Sequence, residues 1–408
     1  MDAGTKSFST SYCRSVTLLL GSNMLERAVY YGFRGLLILY MVGETFEMPN
    51  GEAYTIYGIF TVVIMFTRIL GAVIGDLILS NRLVAIIGAV LQALGAFTLC
   101  VPSLSALYIG IGLVSLGSGL YGPNLFSQFG KLHLNKEAKM DSGFTLLYLA
   151  INLGAFLGIL FLGILGEKNF TYGFIAAGIL ALISVVFLLL TKTNTQETLD
   201  NYKKTPISKR LIMVLIAIFI STIFWGVYEL GISESFLISY NLRETLSETL
   251  PSTLLDSLNS FAIILFGIAA VVIWWLWRLN RFIKLGIGFI AGGLSFAVLL
   301  FMPEGGQTPG LIVFIISILL LGLAEILISP TINSVLTKYT NPKYLAIVFS
   351  LALIPLSIFY RLNGLMAEYY YDIIDTGFFL KLSTFLLVAA GIAIIISGFI
   401  FFKKKPVL

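Results

Sequence analysis

The chain has 408 residues, of which 58% are hydrophobic and 12% are charged, and its formal net charge is +5. Its mean hydropathy is +0.96. Soluble domains carry charge on about a quarter of their residues, so this composition excludes an ordinary soluble protein. We expect an all-α polytopic membrane protein.

Apolar stretches of about 20 residues, each long enough to cross a hydrocarbon core of about 30 Å, recur along the whole sequence. We predict helices at 15–42, 53–79, 82–101, 104–129, 140–166, 170–191, 209–233, 252–277, 281–302, 309–337, 342–366 and 376–402. The stretch before the first helix is polar and the first helix itself contains charges. We therefore expect that helix to stay in the protein and not to be cleaved as a signal.

The longest polar interruption separates six predicted helices from six others. It predicts an N-terminal bundle at 1–191, a linker at 192–208 and a C-terminal bundle at 209–408. Two six-helix halves with a site between them are typical of major facilitator transporters. The segment Gly71 to Asp76, followed by Arg82, also resembles the gating loop of that superfamily. The alternative for this segment is an ordinary helix-packing seam with loop charges.

The first predicted helix carries charges inside an apolar stretch, at Glu26, Arg27 and Arg34, beside Tyr30 and Tyr31. A charge at the middle of a bilayer costs about 3 kcal/mol or more, so such residues usually face a bundle interior or a wet cavity. There they meet a solute, an ion or each other. The pattern predicts a transporter whose first helix lines the pathway.

Five segments resemble, in order, the signatures of the proton-dependent oligopeptide transporter family. They read NMLERAVYYGFR at 23–34, FTLLYLAINLGAF at 144–156, IFWGVYE at 223–229, LNSF at 258–261 and LAEILISP at 323–330. One such motif alone is a weak signal, whereas five in order are specific. The resemblance implies the major facilitator fold, with twelve transmembrane helices in two six-helix halves, and transport of small peptides or peptide-like solutes.

A zwitterionic peptide needs a cation for its carboxylate, an anion for its ammonium and adaptable polar groups for its backbone. We expect Arg34 and Glu325 to supply the two poles from opposite halves of one central cavity. The alternative is a plain ion pair between the halves, which could itself be a gate. The resemblance implies the following substrate-binding residues: Tyr30, Tyr31, Arg34, Tyr148, Asn152, Trp225, Asn259 and Glu325. For the tyrosines and asparagines, the alternative is hydrogen bonding between helices.

The residues expected to serve coupling or gating are Glu26, Arg27, Arg68, Asp76 and Glu229. Two departures from the family pattern weaken the expectation of proton coupling. Asn23 stands where the family has a glutamate, and Gly122 stands where the family has a lysine before Pro-Asn. Arg68 is a cation gained on the second helix. It either replaces the missing lysine, recognises an extra anionic group, or extends to the membrane interface.

No metal site, cofactor or enzymatic activity is predicted, because no nucleophile and base or set of metal ligands is recognisable. The Gly-rich stretch 117–122 lies inside an apolar helix and is not a nucleotide site. His133 is expected to be a solvated loop residue. Two other function classes fit: transport of a different anionic or lipid-like solute, and a non-transporting membrane subunit that docks a partner protein. We expect a monomer, with a partner protein left open.

Orientation follows from the basic residues, which collect in alternate connections and leave only Lys168 and Arg243 on the other side. Short cytoplasmic loops retain Lys and Arg. Both termini are therefore predicted to be cytoplasmic, in the cytoplasmic membrane, and the basic residues do not indicate nucleic-acid binding.

A single cysteine in the linker, Gln196→Cys in a background without Cys13 and Cys100, tests this orientation. We expect an impermeant thiol reagent to label it in inside-out vesicles and not in intact cells. Labelling from the cell exterior alone would reverse the predicted topology.

Overall fold

The computed structural model describes residues 3–134, 136–191, 205–246, 252–277, 279–303, 308–359 and 377–402. Within these ranges the secondary structure is helical and no strand occurs. The predicted all-α class is confirmed. Most of the predicted linker, residues 192–204, lies outside the described residues, as do the chain ends.

The helices are numbered in chain order, and a 3₁₀ turn precedes α5 and another precedes α11. Their bounds are α1 Ala3–Val42, α2 Asn50–Val73, α3 Asn81–Thr98, α4 Leu104–His133, α5 Met140–Lys168, α6 Phe170–Leu190, α7 Ile207–Leu246, α8 Ser252–Leu276, α9 Arg281–Leu299, α10 Thr308–Tyr339, α11 Leu345–Leu351 and α12 Phe378–Phe402. A π-helical turn, Ile74–Ile78, extends α2.

Eleven helical segments in the described ranges are long and apolar enough to cross a membrane. Helix α1 is not among them, although it has 40 residues. Its charged and polar residues reduce its hydropathy, which is why a hydropathy signal alone would miss it. Several helices run past the predicted ends: α1 begins at Ala3, α4 continues to His133 and α7 continues to Leu246. Polar residues at helix ends can lie outside the hydrocarbon core, where apolar content no longer marks the helix.

The chain packs into two compact units. Unit 1 comprises Met1–Glu137, Ala150–Arg210 and Leu336–Leu351, and unit 2 comprises Ala138–Leu149, Leu211–Val335 and Ala352–Leu408. The start of α5 therefore packs with the later helices, and the region from the end of α10 through α11 packs with the earlier ones. The division into 1–191 and 209–408 follows the chain order and stays a prediction.

Unit 1 is held by an aromatic core and by close helix contacts. Phe33, Phe60 and Phe174 are buried in one cluster of α1, α2 and α6. Between α3 and α4 the backbones nearly touch, since a Cβ added to Gly117 would lie 2.5 Å from the carbonyl oxygen of Gly88. Small residues let membrane helices approach this closely. The rigid contacts fix the helices that carry the charged residues.

In unit 2 the helices also approach one another closely at glycines. A Cβ added to Gly391 on α12 would lie 2.8 Å from the carbonyl oxygen of Gly286 on α9. Ile263 and Trp274 of α8 are buried against Ile326 of α10. This cluster lies next in sequence to Glu325, so it fixes the part of α10 that carries the carboxylate.

Candidate functional site

A buried ion pair occupies the middle of α1. Arg27 donates from Nε to Glu26 Oε2 at 2.6 Å and from Nη2 to Glu26 Oε1 at 2.9 Å. Gln92 of α3 donates a further hydrogen bond to Glu26 Oε1 at 3.2 Å. Glu26 is 1% exposed and Arg27 is 8% exposed. The bidentate geometry satisfies both charges inside unit 1.

Arg34 has a different environment, made of tyrosines. Its Nε donates to the Tyr57 hydroxyl at 2.5 Å, and its guanidinium lies 5.4 Å from the Tyr57 ring centre and 5.6 Å from the Tyr30 ring centre. Tyr31 stacks edge-on against Tyr30 with ring centres 5.1 Å apart. No carboxylate of the described residues forms an ion pair with Arg34. Aromatic faces stabilise the cation while leaving donors for an incoming anion.

The positions that depart from the family pattern are also in unit 1. Asn23 is 1% exposed, and its Nδ2 has no acceptor in the described part of the chain. Gly122 on α4 lies beside Arg68 of α2, since a Cβ added to Gly122 would be 4.0 Å from Arg68 Nε. That Nε is buried and also has no acceptor among the described residues. Arg68 thus faces the position where the family carries its lysine.

The anionic pole lies in unit 2, on α10. Glu325 is 4% exposed and accepts three hydrogen bonds, from the Tyr148 hydroxyl at 2.5 Å, from Asn259 Nδ2 at 3.1 Å and from the Tyr228 hydroxyl at 3.2 Å. All three donors are neutral. No Lys or Arg of the described segments lies within ion-pair distance of this carboxylate. Three residues on three helices therefore hold the Glu325 carboxylate, which has no counterion among the described residues.

The other predicted residues, Trp225, Glu229 and Asn152, lie on α7 and α5. Trp225 packs against Tyr228 with ring centres 5.0 Å apart, so it flanks a Glu325 donor. Glu229 is the next residue on α7 and is half-buried. Asn152 of α5 is half-buried and belongs to unit 1, whereas Tyr148 on the same helix belongs to unit 2. Whether Asn152 shares a cavity with the Glu325 cluster stays a prediction.

Asp76 joins the end of α2 to the start of α11 within unit 1. Its Oδ1 accepts from Asn81 at 3.0 Å, its Oδ2 accepts from the backbone N–H of Ile347 at 2.9 Å, and Lys131 lies 3.9 Å away. An anion beside the first N–H groups of a helix is favourable, because those groups lack partners within the helix. We call this link between the end of α2 and the start of α11 the Asp76 latch.

A second set of charges, not singled out from sequence, links α5 and α9 within unit 2. Asp141 accepts from Arg281 at 2.7 Å and from Lys284 at 2.7 Å. Lys284 is 2% exposed and its ammonium lies 4.1 Å from the ring centre of Trp274. Arg281 and Lys284 lie at the start of the predicted helix 281–302, and their charge alone does not indicate which residue they contact. Only the packing of α5 against α9 identifies the acidic partner.

Other partners were also missed. Gln92, Tyr57 and Asn81 complete the Glu26, Arg34 and Asp76 sites. Each is a polar residue at or inside a predicted helix. Such a residue indicates a buried polar contact but does not show which residue it contacts.

The expectation for His133 is wrong. It is the last residue of α4, it is 1% exposed, and its Nδ1 is 2.8 Å from the carbonyl oxygen of Phe129. Helix α4 extends one turn beyond its apolar stretch, and Tyr12 of α1 covers the imidazole with ring centres 5.7 Å apart.

The sequence matches the family model of the Major Facilitator Superfamily over residues 19–359. The chain belongs to that superfamily. The predicted major facilitator fold is confirmed, and the protein is of the multi-pass membrane transporter type. Among the residues described, no group of His, Cys, Asp and Glu has the arrangement of a metal site.

Related proteins and structures agree with this assignment. The "Uncharacterized transporter YclF" of Bacillus subtilis is 26% identical, with 97% of this chain and 96% of that protein covered. A "Di-/tripeptide transporter" of Lactococcus lactis is 29% identical over 43% of this chain and 36% of its own length. A POT family transporter in complex with 5-aminolevulinic acid superposes with a TM-score of 0.67 at 21% identity, covering 94% of this chain and 96% of its own. A peptide transporter POT in complex with sulfate gives 0.66 at 22% identity, covering 94% of each chain. Several of these relatives are described as peptide or POT family transporters, which agrees with the resemblance to the oligopeptide transporter family seen in the sequence.

The Asp141 cluster leads to a stability prediction. We expect Asp141→Asn to lower the free energy of unfolding by about 3 kcal/mol, because it leaves the buried Lys284 ammonium without its anion. The measurement is the unfolding midpoint of the purified protein in detergent.

Glu137→Gln is the matched control. Glu137 pairs with Lys338 at 3.0 Å but is 59% exposed, so its loss should cost about 1 kcal/mol or less. Equal destabilisation by the two variants would show that the Asp141 cluster does not stabilise the fold.

Proposed function

We propose that this protein is a secondary transporter that moves short peptides or peptide-like zwitterions across the cytoplasmic membrane by alternating access. The observation that carries the proposal is a complementary pair of unmatched charges. Within the described residues, Arg34 has a guanidinium without a carboxylate, and Glu325 has a carboxylate without a cation. A zwitterionic peptide offers the missing partner of each.

Arg34 suits the peptide carboxylate. A guanidinium presents a planar fork of donors that fits a carboxylate with two parallel hydrogen bonds. Tyr57 occupies only its Nε among the described residues, so the terminal nitrogens are available. Tyr30 and Tyr31 add hydroxyl groups that can donate to or accept from the peptide backbone.

Glu325 suits the peptide ammonium. Three neutral donors hold its carboxylate in place without neutralising its charge. An ammonium group bound there would form a charge-assisted hydrogen bond in surroundings of low dielectric constant, where such bonds are strong. Asn152 and Trp225 complete the proposed lining, with an adaptable amide and an aromatic face.

The relatives named above support a peptide-like substrate. One relative is named a di-/tripeptide transporter, and the similar structures are described as peptide or POT family transporters. We assign the Asp76 latch a gating role, because it joins the ends of two helices that alternating access would have to move apart. Both termini are placed in the cytoplasm on the basis of the Lys and Arg distribution.

The two poles can be tested by pairing each variant with an altered peptide. We expect Arg34→Ala to lower uptake of a labelled dipeptide at least about tenfold, the effect of losing a charge-assisted contact. The same variant should no longer distinguish a dipeptide from its C-terminal amide. Glu325→Gln should no longer distinguish a dipeptide from its N-acetyl form. The measurement is competition for uptake into proteoliposomes.

Matched controls are Arg14→Ala and Glu52→Gln, which alter exposed residues outside the two poles. Both should retain wild-type discrimination. If wild-type vesicles take up no di- or tripeptide, transport of a different anionic or lipid-like solute, or a docking role without transport, replaces the peptide proposal. If Arg34→Ala still prefers free carboxylates, Arg34 is not the carboxylate pole.

Proton coupling is proposed to be weak. Asn23 cannot titrate in the range where a glutamate would, and Gly122 has no ammonium that a substrate could displace. A remaining coupling route would use Glu26, Glu229 or Glu325. The Glu26 carboxylate is already bound by Arg27 through two hydrogen bonds.

We expect dissipating the proton gradient to change wild-type uptake less than uptake by the double variant Asn23→Glu with Gly122→Lys. Making both charges together should raise proton dependence more than either change alone, because neighbouring groups are not additive. The measurement is peptide uptake with and without a protonophore. Wild-type uptake that collapses with the gradient, yet survives Glu229→Gln and Glu325→Gln, would contradict this prediction.

A further inference from the structure

Arg68 is a half-buried cation that none of the poles described above uses. It lies on α2, and its Nε is buried without an acceptor among the described residues. No carboxylate in the described segments is within ion-pair distance of it. A charge left without a partner at membrane depth is costly and is by default a functional feature.

The local packing leaves space next to this guanidinium. Position 122 on the facing helix α4 is a glycine, and a Cβ placed there would have only Arg68 Nε within 4.0 Å. By contrast, a Cβ at Gly119, one turn earlier on α4, would collide with Thr67. The helices are therefore closely packed at Gly119, whereas there is open space at Gly122, directly beside the Arg68 Nε.

The Nε of Arg68 is buried, unlike that of an arginine that extends to the membrane surface. Such a residue would hold its guanidinium in water beyond the apolar layer. Here Nε is buried, and the guanidinium interacts electrostatically with Arg27, Tyr30, Glu26 and Tyr31 of α1. Arg68 therefore lies near the charged residues of α1.

Cations outnumber anions in this cluster. Tyr31 interacts electrostatically with the three arginines Arg27, Arg34 and Arg68. The one carboxylate of the cluster, Glu26, is bound to Arg27 through two hydrogen bonds. Arg34 and Arg68 therefore both lack an anion within the described part of unit 1. One peptide carboxylate brings a single negative charge, which leaves one of these two positive charges unbalanced.

We propose that Arg68 and the space at Gly122 form a second anion subsite, which selects peptide-like substrates that carry an additional anionic group, such as an acidic side chain. The subsite deepens the proposed transport function and rests on it. Arg34 takes the terminal carboxylate, and Arg68 takes the second anion in the space that Gly122 leaves open.

The test is the preference between two dipeptides of similar shape, Ala-Glu and Ala-Gln, measured by competition with uptake of labelled Ala-Ala in proteoliposomes. Wild-type protein should bind Ala-Glu at least about tenfold more tightly than Ala-Gln, the effect expected for a charge-assisted hydrogen bond. Arg68→Gln and Arg68→Met should each reduce that ratio to about one, whatever their absolute uptake. The control Arg14→Gln should keep the wild-type ratio.

Moving the positive charge from position 68 to position 122 is a more specific test than removing it. Gly122→Lys in the Arg68→Gln background should restore the preference for Ala-Glu, because the lysine would extend into the same space from the facing helix. A purely structural role for Arg68 would not be rescued in this way. The size-exclusion profile of each variant establishes that it is folded.

The outcomes separate the subsite from the transport function. Uptake of Ala-Ala by wild-type protein without any preference for Ala-Glu would overturn the subsite and leave peptide transport standing. A preference that persists in both Arg68 variants would also overturn it. Absence of uptake of any dipeptide by wild-type protein would overturn peptide transport itself, and the subsite with it.

Discussion

A charge buried among membrane-spanning helices has to be balanced by an opposite charge or by hydrogen-bond partners, because the bilayer interior offers no water. This requirement divides the buried ionisable residues into those that pair with each other and those that have neutral hydrogen-bond partners. Glu26 and Arg27 balance each other within α1. Among the residues that the structure describes, Glu325 is stabilised only by neutral donors, and Arg34 is stabilised by tyrosines. The Glu26–Arg27 pair is electrically neutral by itself. Glu325 and Arg34 each keep a net charge that a group of opposite charge can neutralise.

Close backbone packing is what positions these charges. A Cβ at Gly158 of α5 would collide with the backbone of Ala28, one residue after Arg27. Helix α1 is therefore pressed against α5 at the depth of its ion pair. A flexible support would let the charged groups relax toward water and lose the low-dielectric surroundings that strengthen their contacts. The close helix contacts are therefore needed to keep the charged groups buried.

Hydropathy is sufficient to predict most of the helices, because crossing a membrane requires a long apolar stretch whatever the tertiary contacts. It fails at helix ends, and so misplaces His133, since polar residues there continue the helix without adding to the apolar signal. Motif resemblance predicts Arg34 and Glu325 as site residues, but not Tyr57, which contacts Arg34 across 23 positions of sequence. Asp141 was missed because its partners lie on α9. Partner choice depends on helix packing, which no local pattern encodes.

The structure of the protein with a bound dipeptide, solved in lipid nanodiscs, is the most direct test of the central claim that two unmatched charges receive the two ends of a zwitterion. We expect the peptide carboxylate within about 3 Å of the Arg34 guanidinium and the peptide ammonium within about 3 Å of a Glu325 oxygen. A peptide whose carboxylate is bound elsewhere, with Arg34 still contacting only Tyr57, would contradict the claim.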